Sequence, residues 1–396
     1  MYRAFRGVEA RGWLAVALVA GGAVVAQAFG RFTYGVLLPA IRNDLDHSNT
    51  VAGLLGTVNV TAYLLGTVVV ATLTARYRLL PIFRTGFLFS LTGLALATIS
   101  PNAAVLGVGL FVMGIGGAFI WIPSPAIAAA HVADERRGVA VGSVGAGIGL
   151  GIVFAGQVSR ILRDRNGDEA WRSVYLVELV IGTVTVVAVL LFLRFRGDSA
   201  GGSGGGGFGG FGVLRQMPGW RALTVAYAAY GFSYLLAISF LTSRLEDDAG
   251  YSEGRAASMF ALVGIGTIAG GILLGHIADR VGERRALTGG FTLFALSMGG
   301  VMTGVVGLVV VSSITLGLMF AGLAGVVAGY VVRNTAPARY GPTYAAATLA
   351  FGVSQMLAPQ VGGVLADLTG NFTVVFLLSA GFALLGAAAS SRLPRN

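Results

Sequence analysis

Long apolar runs separated by short charged clusters make up most of this sequence. A membrane-spanning helix needs about 20 mostly apolar residues, and the runs between charged clusters predict twelve such helices. Their approximate bounds are 13–41, 51–75, 82–100, 103–130, 138–159, 171–193, 220–241, 255–277, 286–306, 309–334, 343–366 and 372–391. The pattern therefore predicts an all-α integral membrane protein with twelve transmembrane helices.

Two uncharged stretches are too long for one helix and are predicted as helical hairpins. In residues 85–130, Ser100-Pro101-Asn102 is a turn signal. In residues 286–332, we predict the turn near 307–312. The first apolar run starts like a signal peptide but continues to Ile41, so we expect it to be retained as a helix.

The composition narrows the class of protein further. Hydrophobic residues make up 55% of the chain and charged residues 11%, whereas soluble domains carry about 25% charged residues. There is no Cys, and all 27 basic residues are Arg, which excludes disulfides, thiol nucleophiles and a Lys-containing phosphate loop. The three His are scattered and no nucleophile–base–acid set occurs. We expect no enzymatic activity, no cofactor and no metal site.

The arginines are distributed unequally between the two sides of the predicted helices. With the N-terminus in the cytoplasm, seven of the 27 fall on the outer side, namely Arg42, Arg160, Arg163, Arg165, Arg172, Arg244 and Arg255. Arg31 falls inside a span, and the rest are cytoplasmic, as is typical of membrane proteins. We predict cytoplasmic N- and C-termini in a bacterial cytoplasmic membrane. The net charge of +10 then reflects orientation and indicates no nucleic-acid partner.

A Gly-rich segment divides the predicted helices into two sets of six. Residues 197–212 read GDSAGGSGGGGFGGFG, the composition of a flexible linker. We predict a half at 1–196, a cytoplasmic linker at 197–219 and a half at 220–396. A shift of 204 residues superposes Leu37 on Leu241, Asp44 on Asp248, Ser48 on Ser252, Gly66 on Gly270 and Arg76 on Arg280. Two pseudo-symmetric repeats place a substrate near the midplane between them.

The loop between predicted spans eight and nine carries a family resemblance. The string GHIADRVGERR at 275–285 resembles the loop signature of the major facilitator superfamily. The string GRFTYGVLLP at 30–39 resembles a poorly characterised bacterial branch of it, of the YbfB/YjiJ type. The resemblance covers essentially the whole chain and implies that superfamily's fold and transport by alternating access. It implies a gating role for Gly275, Asp279, Arg280, Gly282, Arg284 and Arg285, and for Arg76 at the matching place in the first half.

The signature loop also has a physical interpretation. Gly275 permits close helix contact, and Asp279 at a helix end can pair with arginines and cap a neighbouring helix. The alternative is a structural ion-pair cluster on the surface, which contributes little energy. The first half has Ala71 and Ala75 at the matching positions and keeps only Arg76 of the motif. The fifth span matches part of the superfamily's antiporter signature at Gly138, Gly147, Gly151 and Gly156.

Ionisable residues inside spans are functional candidates because their burial costs at least about 2.5–3.5 kcal/mol. Arg31 shares a predicted helix face with Gln27 and Tyr34. Its guanidinium suits a carboxylate, phosphate or sulfonate. Two interpretations are open: Arg31 contacts substrate or a gate, or it forms a structural pair with Glu178 of span six. Glu178 itself is either a proton carrier or a structural residue.

Uncharged polar and aromatic side chains complete the predicted binding site. Asn59 and Tyr63 share a face of span two, and three tyrosines form a stripe on span seven. Each buried tyrosine hydroxyl needs a hydrogen-bond partner. The further candidates are Trp121, Tyr227, Tyr230, Tyr234 and Gln355. Arg333 and Asn334 at the end of span ten either line the cavity mouth or anchor the helix at the membrane surface.

The resulting hypothesis is a secondary transporter of a small organic solute. We expect an anionic, carboxylate-like substrate held by Arg31, with proton coupling left open. The alternative is an exporter of lipophilic or drug-like compounds acting as a proton antiporter. The expected partners are the solute, membrane lipids and protons, and the expected state is a monomer.

Overall fold

The computed structural model of the protein describes residues 2–74, 76–194 and 210–394. Within these residues every regular element is helical. Most of the predicted linker at 197–219 lies outside the described residues. A short helix, Gly210–Leu214, precedes the second set of long helices.

Twelve long helical segments occupy the described part of the chain. The first, α1, consists of three consecutive pieces, Tyr2–Ala23, Val24–Phe32 and Thr33–Asp44. The others are α2 (Asn49–Leu73), α3 (Leu79–Thr98), α4 (Ala103–Ala129), α5 (Asp134–Asn166), α6 (Asp168–Phe192), α7 (Trp220–Asp248), α8 (Glu253–Val281), α9 (Glu283–Met302), α10 (Val306–Asn334), α11 (Pro337–Thr369) and α12 (Thr373–Ser390). Each predicted span falls on one of these segments.

Eleven of the segments are long and apolar enough to cross a membrane. The remaining segment, α9, begins with Glu283, Arg284 and Arg285, and these charged residues shorten its apolar run. A multi-pass membrane protein follows from the eleven helices. The count of twelve spans and the cytoplasmic position of the termini stay predictions.

The two predicted hairpins differ in outcome. The turn at Ser100-Pro101-Asn102 is confirmed, because α3 ends at Thr98 and Asn102 caps α4 by accepting a hydrogen bond from the Val105 backbone N–H at 3.1 Å. The turn predicted near 307–312 is wrong. The chain turns between Met302 and Val306, where Gly304 adopts a positive φ of 65°. Helical periodicity cannot locate a break when uncharged residues flank it on both sides.

The helix ends lie on two faces of the molecule. On the face that we call the terminal face, the start of α1 lies near the end of α4, and Arg84 donates to the Leu193 carbonyl at 2.8 Å. The C-terminal Pro394 packs there against Gly219. On the opposite face, Arg172 at the start of α6 forms an ion pair with Asp44 at the end of α1, with atoms 2.6 Å apart. Both chain ends are therefore on one side of the helix bundle.

The first six helices contact the last six mainly through two helix pairs, α2 with α11 and α5 with α8. The helices of each pair approach closely. A Cβ on Gly149 of α5 would lie 2.7 Å from the Gly264 carbonyl oxygen of α8, so a side chain at Gly149 would push the helices apart. A Cβ on Gly53 of α2 would likewise meet the Pro359 backbone of α11. Small residues thus allow the two halves to meet along their backbones.

Helix boundaries follow the predicted repeat. Ser48 caps α2 by accepting a hydrogen bond from the Val51 N–H at 3.2 Å, and Ser252, 204 residues later, caps α8 by accepting one from the Arg255 N–H at 3.4 Å. The segments α1 and α7 end at matching aspartates, Asp44 and Asp248. These matches agree with two repeats of six helices.

Candidate functional site

A π-helical stretch of α1, Val24–Phe32, carries Arg31. The Thr33 backbone N–H donates to the carbonyl of Ala28, five residues earlier, which widens this part of the helix. Such π segments inside α-helices are frequent at functional sites. The usual 3.6-residue helical face used to group Gln27 with Arg31 therefore does not apply across this segment.

Arg31 joins α1 to two helices of the other half. Its Nη2 donates to the Tyr234 hydroxyl of α7 at 3.1 Å and to Gln355 Oε1 of α11. Its guanidinium carbon lies 5.4 Å from the ring centre of Tyr63 and 5.7 Å from that of Phe32. Among the described residues Arg31 has no ion pair, and its buried Nε has no hydrogen-bond partner. The site thus holds a cation whose direct partners are neutral.

The pair of Arg31 with Glu178 is not formed. Glu178 is fully buried, and its Oε1 accepts a hydrogen bond from the Thr33 hydroxyl at 2.5 Å. Its Oε2 and the nearby buried hydroxyl of Tyr175 have no hydrogen-bond partner in the described structure. Glu178 of α6 therefore contacts α1 at Thr33, which directly follows the π segment and lies two residues after Arg31.

An aromatic wall flanks Arg31 on the side of α7 and α11. Tyr227, Tyr230 and Tyr234 pack against Phe351, with ring centres 4.4, 5.5 and 5.9 Å apart. Tyr230 donates to the carbonyl of Phe320, and the Tyr227 hydroxyl lies 3.4 Å from the Tyr344 hydroxyl. The predicted tyrosine stripe therefore forms one stacked surface in which each hydroxyl has a partner.

A small cavity of about 20 Å³ lies beside Arg31 and is lined in part by Tyr34 and Asn59. This volume is about that of one water molecule. The Asn59 amide donates to the carbonyls of Gly30 at 2.9 Å and Leu110 at 2.8 Å, and the Tyr34 hydroxyl donates to the Ala52 carbonyl at 2.7 Å. These two side chains thus hold α1, α2 and α4 together next to Arg31.

Two predicted site residues have less direct relations to Arg31. Gln27 is buried in the π segment, and its Nε2 has no hydrogen-bond partner in the described structure. Trp121 is half-buried at the end of the first helical piece of α4, Ala103–Trp121, and is not among the contacts that the structure gives Arg31. The structure therefore brings Tyr63, Tyr234 and Gln355 to the guanidinium and leaves Trp121 apart.

The signature loop at the terminal face forms an ion-pair cluster with α10. Arg333 lies 2.9 Å from Asp279 Oδ1 and 2.6 Å from Glu283 Oε1. The predicted pairing of Asp279 with an arginine is thus made by Arg333, which the sequence analysis considered only for the cavity mouth or as an anchor. Asn334 donates to the Tyr330 carbonyl within α10. Four members of the predicted gating set are exposed, namely Arg76, Asp279, Arg280 and Arg285.

The glycines of this loop behave differently from one another. Gly282 joins α8 to α9 with a positive φ of 86°, which few other residues adopt. A Cβ on Gly275 would meet no atom within 4 Å in the described part of the chain, so the close helix contact predicted there is not formed among these residues.

At the opposite face, charged residues that the sequence analysis did not single out for function join the two halves. Arg42 forms a two-pronged ion pair with Asp247, at 2.5 and 2.9 Å. Fully buried Arg163 pairs with Glu246 at 2.8 Å. Asp367 of α11 accepts hydrogen bonds from the first backbone N–H groups of α2 at 2.9 and 2.7 Å. The sequence does contain a signal for these pairs. The acidic run 246–248 and the arginines Arg42 and Arg163 are predicted on the same side of the membrane, where they can pair.

A family model matches almost the whole chain. The model described as uncharacterised MFS-type transporter YbfB covers residues 23–391. The crystal structure of a bacterial homolog of the human lysosomal transporter Spinster, in an inward-facing and unoccupied conformation, has a TM-score of 0.69 and 18% sequence identity. The match covers 96% of this chain and 94% of that chain, and at this identity it shows a shared fold.

Curated relatives match over shorter stretches. A Haemophilus influenzae protein, named provisionally as a metabolite transport protein, is 36% identical over 84 residues. The MFS-type efflux pumps MFS1 of Arthroderma benhamiae and Trichophyton rubrum are 30% identical over 112 residues. The chain aligns with 20% of the length of each of these relatives and with 20–27% of its own. By the near-complete family match, the chain belongs to the YbfB-type family of the major facilitator superfamily, whose members are multi-pass membrane transporters of small molecules and generally not enzymes.

Proposed function

We propose that the protein is a secondary transporter of a small organic anion, with Arg31 as the residue that holds the anionic group. The observation that carries the proposal is a half-buried cation between the two halves whose direct hydrogen-bond partners, Tyr234 and Gln355, are neutral. A cation at this depth is costly unless it is paired. A carboxylate supplied by the substrate provides that pair.

The surroundings of Arg31 favour a carboxylate with an apolar or aromatic remainder. Arg31 has two donors on one planar guanidinium, Nε without a partner and Nη2 bonded to neutral groups. A carboxylate can accept hydrogen bonds from two such donors at once. The stacked wall of Tyr227, Tyr230 and Phe351 offers flat apolar contact beside it. The gain from a charge-assisted pair exceeds that of the neutral hydrogen bonds that it replaces.

Alternating access by rocking of the two halves is supported by the uneven packing between them. Toward the opposite face, Arg42, Arg163 and Asp367 make direct polar contacts across the halves. Toward the terminal face, a Cβ on Gly142 or Gly145 of α5 would meet no atom of the described residues within 4 Å. One end of the interface is therefore closed in this structure, and α5 has free surface at the other end.

Gating and coupling roles extend the proposal to two further sites. The Arg333 cluster ties α8, α9 and α10 together at the terminal face, the end of the interface at which α5 has free surface. Glu178 is the candidate proton site, because its bond to Thr33 links a buried carboxyl group to the π segment of Arg31. A change in the protonation of Glu178 alters its hydrogen bond with Thr33, and Thr33 lies two residues after Arg31 on α1.

Export of lipophilic compounds is the competing function, and two fungal relatives are named efflux pumps. The positive charge of Arg31, which has no carboxylate partner among the described residues, opposes binding of a cationic drug, since like charges repel. An assay of direction separates the two functions. Uptake into cells supports import of an anion, whereas raised resistance to lipophilic compounds without anion transport supports export.

The test compares two arginine variants of the purified protein. Thermal unfolding is measured with benzoate, phenylacetate, lactate and succinate, and flux of each stabilising anion is then measured in proteoliposomes. We expect a stabilising anion to lose its effect in Arg31→Ala and to keep it in the control Arg255→Ala, whose exposed side chain lies over Tyr251. Equal stabilisation and flux in Arg31→Ala and wild type would contradict the role of Arg31.

A further inference from the structure

A groove of about 510 Å³ opens between α7 and α12 at the terminal face. Its walls come from the first turns of α7 and the last turns of α12, and they include Trp220, Arg221, Val225, Leu385 and Arg392. The volume lies in the range of roughly 300–1,000 Å³ that is typical of small-ligand sites. None of the residues that line the Arg31 cavity lines this groove. It is therefore a separate place for a ligand.

The groove has one cationic end and one apolar end. Arg221 and Arg392 are exposed, and in the described part of the chain neither has a carboxylate within ion-pair distance. The Arg221 guanidinium lies 5.4 Å from the ring centre of Trp220. Farther along the same helices, Val225 and Leu385 are 44% and 46% exposed. None of the described residues that line the groove is acidic, and the charged side chains among them are both arginines.

The cationic end is held in place by packing beneath it. Gly219, just before α7, has a positive φ of 71°, and a Cβ there would lie 2.7 Å from Pro394. Leu393 is buried, and the Tyr330 hydroxyl donates to the Pro218 carbonyl at 3.0 Å. These contacts fix the start of α7 against the end of α12. A ligand therefore meets a preformed groove and loses little binding energy to rearrangement.

We propose that this groove binds an anionic glycerophospholipid of the surrounding membrane. The phosphate lies between Arg221 and Arg392, because guanidinium groups form charge-assisted hydrogen bonds to phosphate oxygens. One acyl chain runs along Val225 and Leu385, where a soluble anion would leave apolar surface uncovered. Trp220 occupies the level of the headgroups, as tryptophans in membrane proteins do. Basic pockets between transmembrane helices are known sites for such headgroups.

The position of the groove connects the lipid to the transport helix. Helix α7 begins in the groove and carries Tyr227, Tyr230 and Tyr234, of which Tyr234 bonds Arg31. Since Trp220 and Tyr227 are two turns apart on one helix, a lipid that holds the start of α7 also holds the tyrosine surface. Lipid binding itself does not depend on the nature of the transported solute.

The test is native mass spectrometry of the full chain. Phosphatidylglycerol or neutral phosphatidylcholine is added to the protein in detergent, and the lipid that stays bound after the detergent is removed is measured. We expect wild type to retain phosphatidylglycerol. The double variant Arg221→Gln/Arg392→Gln should retain at least about tenfold less of this lipid. The matched control is Arg136→Gln/Arg137→Gln, which removes two charges from the terminal face of the other half. The control retains phosphatidylglycerol like wild type.

Two further measurements separate the contributions of the headgroup and the chain. Ala388→Phe fills the groove at an exposed position of α12 and keeps both arginines. We expect this variant to lose phosphatidylglycerol, and we expect excess inorganic phosphate not to displace the lipid from wild type. Equal retention by wild type and the Arg221/Arg392 variant overturns the site. Equal retention of phosphatidylcholine, or complete displacement by phosphate, overturns an anionic lipid as its occupant.

Discussion

At the scale of single residues, Arg31 and Glu178 place two ionisable groups deep in the first half with very different partners. Arg31 donates to Tyr234 and Gln355 of the second half, whereas Glu178 accepts from Thr33 within its own half. Burial of either group is costly. Arg31 thus belongs to the interface between the halves, and Glu178 to the interior of one half.

Sequence reasoning identified Arg31 because it is a charged residue within a long apolar run. It could not identify the partners, because Gln355 lies 324 residues away along the chain and no local pattern connects the two. Arg163 was missed for a related reason. It was counted with the arginines of a loop, yet its side chain is fully buried against Glu246 and Asp168.

Glu178→Gln tests the proposed proton site. The amide oxygen of Gln still accepts the hydrogen bond from Thr33, but the side chain no longer binds and releases a proton. We therefore expect exchange of substrate between the two sides of a proteoliposome to stay within about twofold of wild type, while accumulation driven by a proton gradient is lost. The measurement compares exchange with gradient-driven uptake in one preparation.

Thr33→Val serves as the control for Glu178→Gln, because it removes the hydrogen bond and keeps the carboxyl group. We expect gradient-driven uptake to persist in this variant at a reduced rate. Undiminished accumulation in Glu178→Gln would exclude Glu178 from coupling.

At the scale of helices, the main departure from the sequence patterns is the π segment Val24–Phe32 of α1. Its residues are as apolar as those around it, so a 3.6-residue period describes them equally well and gives no sign of the wider turn. The turn after α9 was misplaced for a similar reason. Gly304 and Gly307 both fit a turn, and only the fold shows that Gly307 lies inside α10.

Helix α5 provides a test of the proposed rocking motion. In Gly145→Leu the new side chain enters open space, so we expect the free energy of unfolding to change by less than about 0.5 kcal/mol. Transport should fall strongly, because α5 cannot close against α8 at the terminal face with a leucine between them. Thermal unfolding and substrate flux are measured on the same purified variant.

Gly149→Leu, one turn farther along α5, is the matched comparison. Its Cβ would lie 2.7 Å from backbone and side-chain atoms of α8, so we expect a loss of about 1–3 kcal/mol of stability. If Gly145→Leu transports at the wild-type rate, α5 does not close against α8 at that level.

At the scale of the whole molecule, each helical segment predicted from apolar runs and turn signals falls on a helix of the structure, although several helices are longer than predicted. The pairing of α2 with α11 and of α5 with α8 was not predictable in this way. Every long helix is apolar over most of its circumference, so no amphipathic face marks the side that meets another helix. The helix arrangement comes from the structure, and the bacterial Spinster homolog shares its fold.

The predicted orientation is testable because the chain contains no Cys. Glu135→Cys lies at the terminal face in the first turn of α5, and Glu169→Cys lies at the opposite face in the first turn of α6. Both wild-type side chains are exposed. A maleimide that cannot cross membranes should label Glu169→Cys in intact cells and Glu135→Cys only after permeabilisation. The reverse pattern would place both chain termini outside the cell.

The ion pairs at the opposite face differ from one another in their exposure to dissolved salt. The side chains of Arg42 and Asp247 are 14% and 30% exposed, whereas that of Arg163 is fully buried. Raising ionic strength from about 0.01 to 1 M shortens the screening length of the solution from about 30 to 3 Å, and buried charge pairs are screened much less than exposed ones. We expect raised salinity on that side to weaken the Arg42 pair more than the Arg163 pair, and under the proposed rocking motion this shifts the equilibrium toward opening of that end.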